Sequence, residues 1–219
     1  LQSIGCTVDR STGLHVHHDF SDGTKANLKS ILFLYVKAQN LTGALLPSRA
    51  NSRWASPLSV EAIRYLDSRM NSRARQVGQS ADLRFYANNI VGGRYNAVNP
   101  QAYSNHGTIE FRQHSGSLNA SKIRAWVVFT QNVVSVGIAK TVGATPLKSN
   151  DAHRILYALG NASQCEVTKK ARQNIVQRIF DNTQRGRNHL TMATLGEYLG
   201  SAKQYLTPAQ RRALRRVNQ

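Results

Sequence analysis

Two short stretches of strict alternation constrain this chain most: Gly13-Leu14-His15-Val16-His17-His18-Asp19 and Thr108-Ile109-Glu110-Phe111-Arg112-Gln113-His114. Alternation of apolar and polar residues is the mark of a half-buried strand, because successive side chains of a strand point to opposite faces. The first stretch therefore sends Leu14 and Val16 to one face and His15, His17 and Asp19 to the other. The second sends Ile109 and Phe111 inward and leaves Glu110, Arg112 and His114 on the open face. Two strands with an aliphatic underside and a polar face of His, Glu and Arg suit the floor of a metal or phosphate site.

Helical periodicity fills the space between and after these strands. Ser21-Asp22-Gly23 offers capping oxygens to a helix with Leu28, Ile31, Leu32, Tyr35 and Val36 on its apolar stripe, ending near Gly43. Ser56-Pro57 starts a shorter helix through Ile63 and Leu66, followed by a polar, Arg- and Ser-rich connection over 67–79. Leu83 to Val91 reads as a strand, and Gly92-Gly93 as a turn. Ser117-Leu118-Asn119 closes the second strand and caps a long helix from about Ala120 to Lys140, with Ile123, Trp126, Val127, Thr130, Val133, Val134 and Ile138 on its apolar side. From Pro146 onward only helices are expected, one opened by a capping box at Ser163–Glu166 and another by Thr207–Gln210. The expectation is an α+β core over 1–145 followed by a basic helical region over 146–219.

Charge narrows the partners. Twenty-nine Lys and Arg against 11 Asp and Glu give +18, a field that attracts nucleic acid, nucleotide phosphates or an acidic protein surface. Arg211, Arg212, Arg215 and Arg216 form a stripe on the last helix, opposite Leu214 and Val217, suited to phosphate contact rather than base reading. Cys6 and Cys165 have no metal-site spacing and read as isolated thiols. The longest apolar run, Ile31 to Val36, stops at Lys37, so no membrane partner is expected. No signal-peptide pattern opens the chain, which suits a cytoplasmic or virion-associated protein. It begins at Leu1 rather than Met, which leaves room for an upstream segment.

His15 and His17 at i and i+2 can ligate one metal from one strand face, with Asp19 beside them. The run resembles the His-x-His-x-Asp-His of metallo-β-lactamase-like hydrolases, but Phe20 stands where the last His belongs, and that fold's other ligand signals are missing. Arg49, Arg53 and Arg94 lie in loops beside Trp54 and Tyr95, where guanidinium groups clamp phosphate or carboxylate oxygens. The flanks of the second strand, Asn105-His106-Gly107 and Ser115-Gly116-Ser117, are small and polar and leave the open face accessible.

The order of these pieces resembles the amidoligase family, carboxylate-amine ligases related in fold to glutamine synthetase and glutamate-cysteine ligase. The carrying residues are Gly13-Leu14-His15-Val16-His17, Leu46-Pro47-Ser48-Arg49 with Arg53-Trp54, Arg94-Tyr95-Asn96 with Asn99, and Tyr103. They continue through His106-Gly107-Thr108-Ile109-Glu110-Phe111-Arg112-Gln113-His114-Ser115-Gly116-Ser117-Leu118 to Lys122-Ile123 and Trp126. The resemblance implies a partial glutamine-synthetase-like antiparallel sheet and an ATP- and Mg²⁺-dependent joining of a carboxylate to an amine. By position it implies His15, His17 and Glu110 as metal ligands, and Arg49, Arg53, Arg94 and Arg112 as ATP- or phosphate-binding groups. Glu110, Arg112 and Arg94 would carry the catalysis. Such ligases look familiar from phage-encoded sequences.

The family also carries an acidic Glu-x-Glu strand ahead of the His strand. This chain has four glutamates, Glu61, Glu110, Glu166 and Glu197, and none pairs that way. Mg²⁺ prefers oxygen ligands, so the expected site needs a further N-terminal portion or another chain to complete it. The alternative is an inactive, basic structural or binding protein within a larger assembly, touching nucleic acid or an acidic surface.

Overall fold

A computed structural model describes residues 2–9, 11–65, 72, 76–77, 82–90, 93–147, 151–159 and 165–217. Leu66, most of the polar connection 67–79, Val91, Gly92, Gly160 and Ser163 lie outside the described residues. Among the described residues the protein is α+β, with a three-stranded sheet in the order β1-β3-β2. Strand β1 is Gly13–Asp19, β2 is Val98–Asn99 and β3 is Thr108–Ser115. Both pairings are antiparallel, with β3 in the middle.

The β1–β3 register changes partway along. His17 lies opposite Glu110 and Val16 opposite Phe111, but Leu14 lies opposite His114. Two residues of β3, Arg112 and Gln113, thus face His15 alone, which is a β-bulge. The extra residue reverses the alternation beyond it. Gln113 and His114 are both buried, and His114 does not share the open face with Glu110 as simple alternation predicts.

Helices α1 (Lys25–Leu45) and α5 (Ala120–Ala139) pack together beneath the sheet. The Tyr35 hydroxyl of α1 donates to Gln113 Oε1, and its ring lies 5.7 Å from that of Phe111. His18, pointing inward from β1, meets the Thr130 hydroxyl of α5 at 2.7 Å. Helix α1 starts later than expected: Thr24 caps it, in a reciprocal box with Asn27, rather than Ser21, Asp22 or Gly23. On α5, Asn119 is the cap within the expected Ser117-Leu118-Asn119 run, and Trp126, Thr130, Val133 and Val134 are buried. Val127 and Ile138 are instead exposed, since α5 buries a narrower stripe than its apolar residues occupy.

Between the sheet strands, α2 covers 60–65, α3 is Leu83–Asn88 and α4 is Ala102–His106. The expected strand at Leu83–Val91 is corrected to helix. Asp82 caps it by accepting from the Phe85 amide at 2.8 Å, and three consecutive residues, Phe85, Tyr86 and Ala87, are buried. Short apolar runs do not separate helix from strand by period.

The C-terminal helices are α6 (Ala152–Ala158), α7 (Glu166–Gln184), α8 (Met192–Leu199) and α9 (Pro208–Val217). Helix α7 packs on both α1 and α5, and its Ile175, Val176, Ile179 and Phe180 join the same apolar cluster as Ile31, Phe111 and Trp126. Asn182 and Asn188 donate to the Ala44 carbonyl at 3.1 and 3.2 Å, and Asn182 also to that of Leu45 at 3.0 Å. These bonds satisfy orphan carbonyls at the end of α1. Helix α7 begins after Cys165, two residues later than a Ser163 cap requires, and Cys165 makes no side-chain capping bond. The box at Thr207 forms, with Gln210 and Thr207 bonding each other's backbone amides at 3.0 and 3.1 Å. Helix α8 ends at Gly200, whose φ of 52° admits no further α-turn, and the chain continues as a 3-10 stretch. Val217 is exposed rather than sharing the inward side of α9 with Leu214. Among the described residues no helix is long and apolar enough to cross a membrane.

Gly137 marks the closest approach of α5 to α1. A Cβ there would lie 3.0 Å from the Ile31 nitrogen and 3.1 Å from its Cα, and would collide with Ile31 Cγ1. Overpacking of this kind costs about 1–3 kcal/mol, more than the few tenths that a branched residue gains over Gly in helix propensity. Gly137→Val should therefore lower the urea midpoint of unfolding without changing its slope.

Candidate functional site

The open face of the sheet centres on Glu110. It lies opposite His17 of β1 and Asn99 of β2, so one carboxylate is flanked from both neighbouring strands. Glu110 is only 5% exposed, and a carboxylate taken out of water needs hydrogen bonds and countercharge. Its Oε1 accepts from Arg112 Nη1 at 2.7 Å and from His15 Nδ1 at 2.8 Å, with His17 Nε2 at 3.8 Å. Its Oε2 accepts from Asn99 Nδ2 at 2.6 Å. Burial pushes the Glu110 carboxyl up, but the bonds from Asn99 and Arg112 and the charges of Arg112 and His15 outweigh it and hold it below its ordinary range. Glu110 is therefore an anion at neutral pH.

The histidines are held from the other side. His17 places its Nδ1 at 2.9 Å from the Thr108 hydroxyl, and its ring meets that of His106 edge-on at 5.9 Å. Burial, then the Arg112 charge, lowers the pKa of His15 despite the Glu110 anion. Neutral His15 donates its Nδ1 proton to Glu110 and keeps Nε2 as an acceptor. Arg49 stands behind it: this buried guanidinium donates to the Thr12 carbonyl at 3.1 Å, and its charge bears on His15. Gly13 makes the approach feasible, since a Cβ there would sit 3.0 Å from His15 Nε2 and 3.1 Å from Arg49 Nη2.

A cation–aromatic row forms the rim. Arg53 lies over the Trp54 ring at 4.9 Å, Trp54 meets Tyr95 at 5.4 Å, and Arg94 lies over Tyr95 at 4.9 Å while donating to its hydroxyl at 2.7 Å. The row exists because Ser56 bridges the 93–97 segment, donating to the Tyr95 carbonyl at 2.7 Å and accepting from the Ala97 amide at 2.8 Å. Arg112 ties it to the centre through a bond from Nε to the Trp54 carbonyl at 3.4 Å. Such contacts hold planar guanidinium groups in place ready for an anion.

The structure thus brings His15, His17, Glu110 and Arg112 together, with Arg49 behind and Arg53 and Arg94 at the rim. Asp19 turns away, accepting from the Ser21 amide and hydroxyl at 3.1 and 2.8 Å. Arg211, Arg212, Arg215 and Arg216 sit on α9, packed against α8, and share no ion pair with the Glu110 group. Asn99 and the Trp54 carbonyl bond to this group in roles the sequence reading did not give them, although Asn99 and Trp54 are among the residues that carry the amidoligase resemblance. Asn99 belongs to a two-residue strand, too short to display a period, and the Trp54 group is backbone.

Metal binding is a different matter. Among the described residues no three His, Cys, Asp or Glu side chains are arranged to hold an ion. Mg²⁺ takes oxygen ligands in near-octahedral geometry, and the group contains one carboxylate whose oxygens already receive three hydrogen bonds. These residues alone do not fit that ion.

A family model described as "Putative amidoligase enzyme" matches residues 1–134. The chain belongs to the amidoligase family. No curated protein and no solved structure matches it. The amidoligase match takes in all three strands, α1 and most of α5, hence the whole Glu110 group, and stops before α6 to α9.

Acid should weaken the fold through its buried histidines. Burial lowers His114 from 6.5 to about 4 and lowers His18 as well. Below pH 6.5 the unfolded chain takes up protons that the native state refuses until about pH 4 at His114, so stability falls across that window. A shift of this size corresponds to roughly 3 kcal/mol at full effect. Urea unfolding measured from pH 7 to pH 4 should show this decline, and His114→Gln should flatten it.

Proposed function

We propose that the open face of the sheet is the site of an amide-forming ligation, in which ATP activates a carboxylate and an amine then displaces phosphate. The observation that carries this reading is the buried, ionised Glu110 bonded by Arg112, His15 and Asn99, within the stretch that matches the amidoligase family. ATP supplies the phosphoryl group that turns a carboxylate oxygen into a leaving group. Arg112 and Arg94, with Arg53 and Arg49 around them, supply positive charge for the carboxylate and the phosphates, and positioning plus charge is most of what phosphoryl transfer asks of a protein.

The second half-reaction needs a base. The amine nitrogen attacks the carbonyl carbon of the acyl phosphate, the carbon–oxygen bond to phosphate breaks, and the nitrogen loses a proton. His15 suits that role. It is neutral at pH 7, its Nδ1–H is held by Glu110, and Nε2 is left to accept the proton. Glu110 then stabilises the imidazolium and Arg112 keeps Glu110 in place. Further oxygen ligands for Mg²⁺ come, in this reading, from a segment or chain lying beside β1, which pairs on one side only among the described residues.

ADP release from ATP that requires both a carboxylate and an amine, screened over amino acids and polyamines, tests the proposal. Glu110→Gln and Arg112→Ala should each lower it about 10²–10³-fold, the usual effect of losing one charge-stabilising group. Unchanged turnover in either variant would sink it.

One observation favours a second reading, a basic binding component of a larger assembly such as a virion. Arg212, Arg215 and Arg216 are exposed on one helix, and the chain carries +18. That reading expects binding to double-stranded DNA that weakens linearly in a log–log plot against salt, with a slope of about −0.9 per phosphate neutralised. Replacing the four α9 arginines with Ala should make the slope shallower; a salt-independent affinity would overturn it.

A further inference from the structure

The strand bulge leaves His114 on the inner side of the sheet, and a second basic cleft opens next to it, away from the Glu110 face. Its volume is about 490 Å³, within the range of small-ligand sites. Ser115 at the end of β3 with Gly116 and Ser117 after it, Pro47-Ser48, the first turn of α5, the last turns of α7 and Arg187 beyond them enclose it. Lys122, Arg178 and Arg187 line it together with His114, and among the described residues no Asp or Glu does. None of these three cations pairs with a carboxylate among the described residues.

Arg178 is the group that makes this unusual. Its one hydrogen-bond contact among the described residues is Nη1 to His114 Nε2 at 3.5 Å. His114 donates its Nδ1 proton to the Ser115 carbonyl at 2.6 Å, so Nε2 presents a lone pair. A His held down to about 4 is neutral at pH 7 and orients the guanidinium without balancing its charge. Burial pushes Arg178 down to about 10, and Lys122 is lowered by burial and then by Arg178, Arg185 and Arg187. Like charges crowded into a half-buried cleft repel, and an anion bound among them removes that cost.

We propose that this cleft binds a phosphate-bearing anion of the pyrophosphate or polyphosphate class. Three cations match the several charges of such a ligand, whereas a monocarboxylate answers only one. The Arg178 and Arg187 guanidinium groups offer paired donors to phosphoryl oxygens, and Ser115 and Ser117 line the same cleft. Asn182 is not a ligand here, because its amide is committed to the Ala44 and Leu45 carbonyls. The site uses none of the proposed ligation residues, and Arg178 and Arg187 lie outside the family match at 1–134.

Calorimetric titration of the full chain with inorganic pyrophosphate, at fixed ionic strength, tests this. Pyrophosphate should bind more tightly than orthophosphate, and acetate more weakly than either. Arg178→Gln should weaken pyrophosphate about tenfold or more, the size expected for one charge-assisted donor pair. Lys122 and Arg187 are exposed, so the double variant Lys122→Gln with Arg187→Gln should fold normally and lose affinity to a similar degree. Replacing the four α9 arginines with Ala should leave binding within about twofold, since they do not line the cleft, and an Arg94→Gln/Arg112→Gln variant reports any pyrophosphate held on the Glu110 face. Wild-type affinity in the Lys122/Arg187 variant would overturn the proposal. So would loss of binding confined to the Arg94/Arg112 variant, which places pyrophosphate on the Glu110 face and leaves the ligation reading intact. Equal loss in the α9 variant would reduce the effect to diffuse charge attraction and overturn the cleft as well.

Discussion

One extra residue in β3 decides which of its polar side chains share the face of Glu110 and which turn beneath the sheet. Before the bulge, β1 and β3 alternate in step, so His15 and His17 meet Glu110 and Arg112 on a common face. After it, the phase of β3 is reversed, and the next histidine is driven under the sheet against Trp126, 5.4 Å away. A regular strand would have stacked Glu110, Arg112 and His114 on one surface. The irregular one divides them between an exposed face and an interior that opens toward α7.

On the exposed face, the decisive quantity is the balance at Glu110 between loss of hydration and gain of partners. Desolvation of an anion is worth several kcal/mol against the fold, and three short hydrogen bonds with an adjacent guanidinium answer it. The result is a fixed negative charge encircled by positive groups, so the face as a whole attracts anions while its centre remains anionic. Side chains already locked into such a network do not need to reorganise when a charged substrate arrives, which is the main electrostatic advantage of a protein site over water.

Legibility of this architecture in the sequence follows the physics of each element. The strands β1 and β3 announce themselves because alternation is strong over seven and eight residues. The long helices α1 and α5 do so because each exceeds five turns. Glu110, Arg112, His15 and His17 follow from strand parity alone. His114 does not, because a bulge leaves no mark in a single sequence and inverts parity beyond it. Helix α3 is six residues long, so its buried Phe85-Tyr86-Ala87 fits a strand equally well. The cap at Thr24 was obscured by three nearer-looking candidates, all of which lie before the helix. Arg178 and Arg187 read as ordinary surface charges in a basic chain; only the packing of α7 and of the turn that follows it gathers them beside Lys122.

The asparagines that finish α1 tie the order of synthesis to the order of folding. The Ala44 and Leu45 carbonyls receive their partners from residues 137 to 144 positions later in the chain. Contacts of such separation form late and slowly, since a long loop must close before they contribute. On the ribosome, α1 and α5 emerge well before α7, with the apolar surfaces that α7 will cover still open to water. The apolar surfaces of the amidoligase stretch that α7 covers therefore stay open to water until α7 has left the exit tunnel.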